Sequence, residues 1–109
     1  MKVLIAGSRS IGEYDLSLVV PSDVELIISG GASGIDALAE KFADAHKISK
    51  LILRPNYKKY KRAAPLKRNE IMIDFADMVI VIWDGVSKGS LYTIEYAKKK
   101  NKSLKVITI

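Results

Sequence analysis

The feature that most constrains this chain is a run with no polar face, Val79-Ile80-Val81-Ile82, flanked by Met78 and Trp83. In an extended strand successive side chains point to opposite faces. A strand that is apolar at every position must be covered on both sides, as a central strand of a parallel sheet between two helical layers is. Ile27-Ile28, within Val24–Ser29, has the same character. Three further runs have strand length and β-branched content: Lys2–Ala6, Lys50–Leu53 and Leu104–Ile109. The last alternates with Lys105 and Thr108, which places it nearer a sheet edge.

Helical patterns fill the gaps. Ile35, Leu38, Ala39, Phe42 and Ala43 fall at i, i+3, i+4, i+7 and i+8, one face of a helix. Ser33 is the expected N-cap, with Asp36 three residues later. Another helix is expected from Pro65, a residue tolerated in a first turn, to about Ala76. A further one should start near Gly89-Ser90, with Leu91, Ile94 and Ala97 turned inward. Between Gly7 and Pro21 there is room for about two helical turns, over Glu13–Val20. Strand and helix thus alternate four times before a final strand, the pattern of a layered α/β domain on a five-stranded, mainly parallel sheet. With 109 residues, no linker and no internal repeat, residues 1–109 read as a single domain.

Composition removes several classes. The apolar fraction of 49% excludes a disordered chain, and the absence of cysteine excludes disulfides, thiolate catalysis and Cys-ligated zinc. One histidine and scattered acids give no metal-ligating cluster. No apolar run nears the roughly 18 residues of a membrane span, and the N-terminal run is too short for a signal peptide, so a cytoplasmic location is expected. The net charge is +6, unevenly placed: residues 1–53 hold 5 cations and 7 acids, residues 54–109 hold 13 and 5. Seven cations and no acid lie in 54–68: Arg54, Lys58, Lys59, Lys61, Arg62, Lys67 and Arg68, interleaved with Tyr57 and Tyr60. Charge alone reads this stretch equally as a solvated loop or as a phosphate-contacting one with stacking tyrosines. The cluster Lys98–Lys102 reads as cations at a helix C-terminus.

Function is signalled by where the glycines fall. Three of the four strand-to-helix junctions carry them: Gly7-Ser8-Arg9-Ser10, Gly30-Gly31-Ala32-Ser33-Gly34, and Asp84-Gly85 followed by Ser87-Lys88-Gly89-Ser90. In a parallel sheet these loops share the carboxyl edge, where open α/β sheets bind ligands. Glycine lets backbone approach a ligand, and helix N-termini offer unpaired N–H groups suited to phosphate. Ser8, Ser10, Ser33 and Ser90 add hydroxyls; Arg9 and Lys88 add charge. No Walker A run and no Gly-x-Gly-x-x-Gly after the first strand occur, so the pattern is neither a standard P-loop nor a dinucleotide fingerprint.

Ser29-Gly30-Gly31-Ala32-Ser33-Gly34-Ile35-Asp36-Ala37-Leu38-Ala39 resembles the Ser-Gly-x-Ala-x-Gly-Ile-Asp-x-x-Ala motif of the DprA/Smf family of DNA-processing proteins. Gly7-Ser8-Arg9 is similar to that family's first loop, Pro65–Met72 to its Phe-Pro-x-Arg-Asn-Arg-Ile-Ile helix, and Lys88–Thr93 to its Ser-Gly-Ser-Leu-x-Thr motif. The resemblance covers nearly the whole chain. It implies a Rossmann-like three-layer domain of the SLOG superfamily, which also holds the LOG (lysine decarboxylase-like) phosphoribohydrolases. Position 40 is Glu where the DprA family usually has His, and the loop before Pro65 is shorter and more basic.

Three functions are then in play. The first is binding of a nucleotide or nucleotide-derived ligand, with Gly7, Gly30, Gly31, Ser33, Gly34, Gly89 and Ser90 at the phosphate and Ser8, Arg9, Arg68, Asp84 and Lys88 adding polar contacts. Asp36 caps the loop or meets a ribose hydroxyl; Asn69 fixes a loop or touches the ligand. The second, implied by the DprA resemblance, is single-stranded DNA binding through Arg9, Lys58, Lys59, Lys61, Arg62, Lys67 and Arg68, with Tyr57 or Tyr60 stacking. The third is a LOG-like phosphoribohydrolase. Its catalytic glutamate falls at Thr93 here and Glu95 lies on another helix face, which argues against it; Glu70 and Asp84 remain as carboxylates for other hydrolysis. His46 reads as a helix-end residue and Trp83 as core, while Tyr92 and Tyr96 form a helix face open to dimer packing. A homodimer is what the superfamily resemblance implies.

Overall fold

The computed structural model describes residues 1–109. Its strands are β1 (Lys2–Gly7), β2 (Leu26–Ser29), β3 (Ser49–Ile52), β4 (Met78–Trp83) and β5 (Ser103–Thr108). They form one all-parallel sheet in the order β3-β2-β1-β4-β5. The helices are α1 (Ile35–Ala45), the single turn α2 (Tyr57–Tyr60), α3 (Ala64–Phe75) and α4 (Lys88–Lys99). This is the expected α/β fold of the Rossmann-like, three-layer kind.

The doubly apolar runs do what their pattern requires. Val3, Ile5, Ile27, Ile80 and Ile82 join Ile35, Ala39 and Ala43 of α1 in one core on one face of the sheet. Leu4, Ile28, Val79 and Val81 join Met72, Ile73 and Ala76 beneath α3, and Ile94 and Ala97 of α4, on the other face. Val79, Ile80, Val81 and Ile82 are each at 0% exposure. Removing such a side chain from water stabilises by about 1.5–3 kcal/mol. The run therefore supplies an amount comparable with the whole net stability of a domain, on the order of 5–15 kcal/mol.

β5 is an edge strand, as its alternation implied, and β3 is the other edge. Three expectations are corrected. Glu13–Val20 is not a two-turn helix: only a 3-10 turn forms, at Leu16–Leu18. Asp15 caps it by accepting from Ser17 N at 3.1 Å, and Pro21 disfavours helical backbone at Val20. Ser33 does not cap α1, because the residue before the helix is Gly34 and no side-chain cap bond forms. Leu91 does not face inward; it is exposed, and the buried stripe of α4 is Ser90, Thr93, Ile94 and Ala97.

Candidate functional site

β1 and β4 are neighbours at the centre of the sheet, yet the chain leaves them for opposite sides, β1 toward β2 and β4 toward β5. That divergence opens a crevice at the carboxyl ends of the strands. A cavity of about 440 Å³ occupies it. Its walls are Ala6, Gly7, Arg9 and Ser10 from the end of β1, Ala32 and Asp36 from the start of α1, and Arg68, Asn69 and Met72 from α3. Asp84, Ser87, Gly89, Ser90 and Thr93, from the end of β4 and the first turns of α4, complete it.

The loops after β1 and β4 are bolted together. Ser8 is 1% exposed; its N–H donates to the Ile82 carbonyl at 3.0 Å and its Oγ accepts from Asp84 N at 2.9 Å. Ser8 is thus a clamp between loops and lies behind the cavity wall. Asp84 Oδ1 accepts from the amides of Val86 (2.9 Å) and Ser87 (2.8 Å), and Oδ2 accepts from Ser10 Oγ at 3.0 Å. The two backbone N–H groups, with the serine hydroxyls, hold the Asp84 carboxyl down at about 2. It is an ionised anchor for the turn and carries no proton near neutral pH.

The start of α4 is left open. Ser87 is the N-cap residue, but its side chain caps nothing: its Oγ donates to Ser90 Oγ at 2.7 Å and lies 3.2 Å from Ser8 Oγ. The first amides of the helix, which have no intrahelical acceptor, thus have no side-chain partner at a point where Gly89 and Ser90 line the cavity. Gly89 contributes no bulk there, and a Cβ added to it would meet nothing within 4 Å. Arg9, exposed and on the cavity wall, takes part in none of the chain's three ion pairs (Met1–Glu25, Lys50–Asp44, Lys67–Glu70).

The β2–α1 loop is built differently. The Gly30 carbonyl accepts from Arg68 Nη1 at 2.8 Å, and the Gly31 carbonyl from Arg54 Nη1 at 3.2 Å. Asp36 is 8% exposed, and its Oδ2 accepts from Ala32 N at 3.2 Å. Ser29 Oγ, also buried, donates to the Asp36 carbonyl at 3.1 Å. The loop is therefore capped from inside the helix by Asp36, the capping alternative, with that carboxyl also on the cavity wall. Burial raises the Asp36 pKa against the opposing pull of the Ala32 N–H and of Arg68. Burial likewise lowers that of Arg68, with Asp36 opposing. Arg68 Nε donates to Asn69 Oδ1 at 2.8 Å, so Asn69 both orients the arginine and lines the cavity.

Of the expected site residues, Gly7, Arg9, Asp36, Arg68, Asn69, Asp84, Gly89 and Ser90 converge on the cavity. Gly30, Gly31 and Gly34 shape the loop behind it, Ser33 is exposed away from it, and Lys88 is exposed outside it. Met72 is on the wall without having been expected there, and Thr93 is on it at the position where the LOG resemblance would place a catalytic glutamate. Helical spacing carries their signal: Met72 is four residues from Arg68, and Thr93 is four from Gly89, to whose carbonyl its Oγ1 donates at 3.1 Å.

Tyr57, Lys58, Lys59, Lys61, Arg62 and Lys67 do not line the cavity. All are exposed, on the same edge of the sheet, and Asn56 Oδ1 caps their short helix by accepting from Lys59 N at 3.2 Å. Tyr60 is half-buried, with Lys59 Nζ 5.2 Å from its ring centroid. Glu70 is not a cavity carboxylate: it accepts from the Tyr92 hydroxyl and pairs with Lys67 at 3.6 Å, and these hold its pKa down. Tyr96 donates to Asp74 at 3.1 Å, so both tyrosines lie against α3. Trp83 packs on the second core and donates Nε1 to the Ser87 carbonyl at 3.0 Å. His46 ends α1 against Phe42. Lys102 Nζ donates to the Asp74 and Ala76 carbonyls at 3.0 and 2.9 Å, capping the C-terminus of α3. No helix is long and apolar enough to cross a membrane.

Comparison of the chain with family models, with curated proteins and with solved structures found no match. What the site does is therefore read from its own side chains.

Proposed function

We propose that this protein binds a nucleotide or nucleotide-derived ligand in the crevice between β1 and β4. The observation that carries the reading is the open N-terminus of α4. Ser87 turns its hydroxyl away from capping, and Gly89 and Ser90 line the same cavity as Arg9, which is in no ion pair of the chain. A phosphate there gains backbone N–H donors, the helix dipole and one guanidinium. Asp36, kept from the phosphate end by its own negative charge, suits a hydroxyl donor such as a ribose. The resemblance of 29–39 and 65–72 to SLOG motifs supports the same assignment, and a cytoplasmic setting and a homodimer go with it.

The test is a melting and calorimetric screen of nucleotides. A ligand at a hundred times its Kd stabilises by about 2.7 kcal/mol. That corresponds to a rise on the order of 10 °C for a domain of this size. Gly89→Val should fold, since space is open at its Cβ, and should lose the shift. No shift with any nucleotide, or a Gly89→Val protein that binds like the parent, overturns the proposal.

A second reading rests on a separate observation, the exposed cations of Lys58–Arg62 on the same edge, none held in an ion pair. Single-stranded DNA bound there would show affinity falling steeply with salt. A base-releasing hydrolase is set aside. The cavity carboxyls are Asp36, engaged with the Ala32 amide, and Asp84, held ionised, while Glu95 is exposed outside the cavity.

A further inference from the structure

β5 is the longer of the two sheet edges, six residues against four in β3, and its outer side pairs with no strand. The outward N–H and C=O groups of such an edge are a template for a further strand. The two faces beside it differ. Leu104, Val106 and Thr108 pair with Val79, Val81 and Trp83 and lie on the α4 face; Ser103, Lys105 and Ile107 pair with Met78, Ile80 and Ile82 and lie on the α1 face. On the α4 face the edge has an apolar border. α4 turns Tyr92 and Tyr96 toward Glu70 and Asp74 of α3, and its buried stripe onto the sheet. At about 3.6 residues per turn, Leu91 and Lys98, seven positions apart, fall on the remaining flank, the one on the outer side of β5. Leu91 and Val106 are both exposed there. On the other face no helix follows β5: α1 packs over β1, β2 and β3, and Lys105 is exposed. None of these residues lines the crevice.

Charge selects the occupant. Residues 96–109 hold five lysines and no acid. Lys102 is engaged with α3 carbonyls, Lys99 acts on Glu70, and Lys100 lies over the Tyr96 ring. Lys98 and Lys105, which border the edge on its two faces, enter none of the ion pairs. A second copy of this chain is a poor match. Two-fold pairing of β5 keeps each face with itself and brings both Lys105 side chains onto one face of the joined strands, where like charges repel. We infer that β5 receives an extended segment of another protein as a sixth strand, one in which apolar residues alternate with acidic ones. Successive side chains of a strand point to opposite faces, so the apolar set lies against Leu91 and Val106 and the acidic set beside Lys105. Lys98, at the end of α4 near the start of β5, adds a second cation for an acid at the end of the segment.

The experiment is fluorescence anisotropy of the whole chain with a labelled peptide of about ten residues alternating Val and Glu, with the amide signals of 103–109 followed by NMR. Two peptides serve as controls: the same composition arranged in blocks, and the alternating peptide N-methylated at its central amides, which blocks both of its edges. The proteins are the parent, Lys105→Glu and Lys41→Glu; the last makes the same charge change at an exposed position on α1. A charge-assisted contact is worth about tenfold in affinity. The parent should bind the alternating peptide at least about tenfold tighter than either control peptide, with the 103–109 signals moving. Lys105→Glu should weaken it about tenfold and Lys41→Glu by less than about twofold; melting curves check that both variants are folded. Equal binding of the N-methylated peptide would mean attraction by charge without strand addition, and equal weakening by the two variants would place the contact elsewhere; either overturns the proposal. So does dimerisation of the parent that moves the 103–109 signals, which gives the edge to a second copy. Movement of those signals by oligothymidylate and not by the peptide gives the edge to nucleic acid and overturns it too, as does failure of the parent to bind the alternating peptide.

Discussion

The contact between the first two loops can be broken by a single methyl group. Gly34 has φ +72 and ψ −129, a backbone region closed to residues with a Cβ. Space is closed as well: a Cβ there would stand 2.5 Å from the Ser8 carbonyl oxygen and 2.6 Å from Arg9 Cα. These are backbone atoms, and Ser8 is itself locked to Ile82 and Asp84. Gly34→Ala therefore cannot be relieved by turning a side chain aside. Backbone strain costs about 1–3 kcal/mol and overpacking about 1–3 more, so the variant should lose roughly 2–6 kcal/mol. At about 4–8 °C per kcal/mol for a domain near this size, the melting temperature should fall by on the order of 10 °C or more. The matched control is Gly12→Ala, exposed and with nothing within 4 Å of its Cβ. It should stay within about 0.5 kcal/mol of the parent. Urea denaturation of the three proteins decides it. If Gly34→Ala and Gly12→Ala melt alike, the two loops are not in the close contact described, and the cavity they form loses its basis.

Asp36→Asn should be as stable as the parent or more so at pH 7, since burial raises the folded pKa of Asp36 above 3.8 and penalises its ionised form. The advantage should vanish below about pH 3.8, where the carboxyl is protonated folded and unfolded; a variant less stable than the parent at pH 7 contradicts the stated cause. Asp84 runs the other way, with a folded value of about 2 below its ordinary 3.8, so its stabilisation is full above pH 4 and is lost as pH falls through 2. The gap between parent and Asp84→Asn should therefore narrow over that window in urea titrations; a constant gap refutes it. Arg68→Ala leaves the Gly30 and Leu53 carbonyls without their donor, at a cost of about 1–3 kcal/mol, and Arg68→Lys should recover only part; unchanged denaturation midpoints would show the staple to be idle.

The layers of the fold were legible because burial on two faces leaves a direct trace. Val79-Ile80-Val81-Ile82 admits no solvated side, and its odd and even residues enter opposite cores. What escaped the pattern lies where the site overrides it. In α4 the apolar spacing begins at Leu91, yet the inward stripe begins at Ser90 and Thr93, because the first turn of that helix faces a polar cavity. A hydrophobic pattern locates a core, and here the stripe leaves the core for the site. Ser33 misled for a related reason. It has the chemistry of an N-cap at the right place, but Asp36 reaches back from within the helix and does the work. Local propensity does not register a partner four residues on when two residues compete for one role. Arg54 was visible only as one cation among seven; its contact with Gly31 spans 23 residues.

The glycine loops carry the sharpest lesson. Glycine in a sequence announces that something comes close, without saying whether it is a ligand or the chain itself. Gly34 answers one way: its missing side chain makes room for Ser8 and Arg9. Gly89 answers the other: it lines the cavity, and a side chain there would meet no protein atom within 4 Å. The electrostatics divide along the same line. At α1 an internal carboxyl, Asp36, already occupies the positive end of the helix. At α4 the first turn has no acidic residue, and its N-cap hydroxyl is turned elsewhere. Of two helix N-termini opening on one crevice, one is closed by the protein's own anion and one is not. On the proposed reading this asymmetry orients the ligand, with phosphate at α4 and a hydroxyl-bearing group at α1. Swapping the two conditions, by Asp36→Asn together with Ser90→Asp, puts a carboxylate at the proposed phosphate seat and should abolish nucleotide binding in calorimetry, whereas binding at the parent's affinity would refute the orientation.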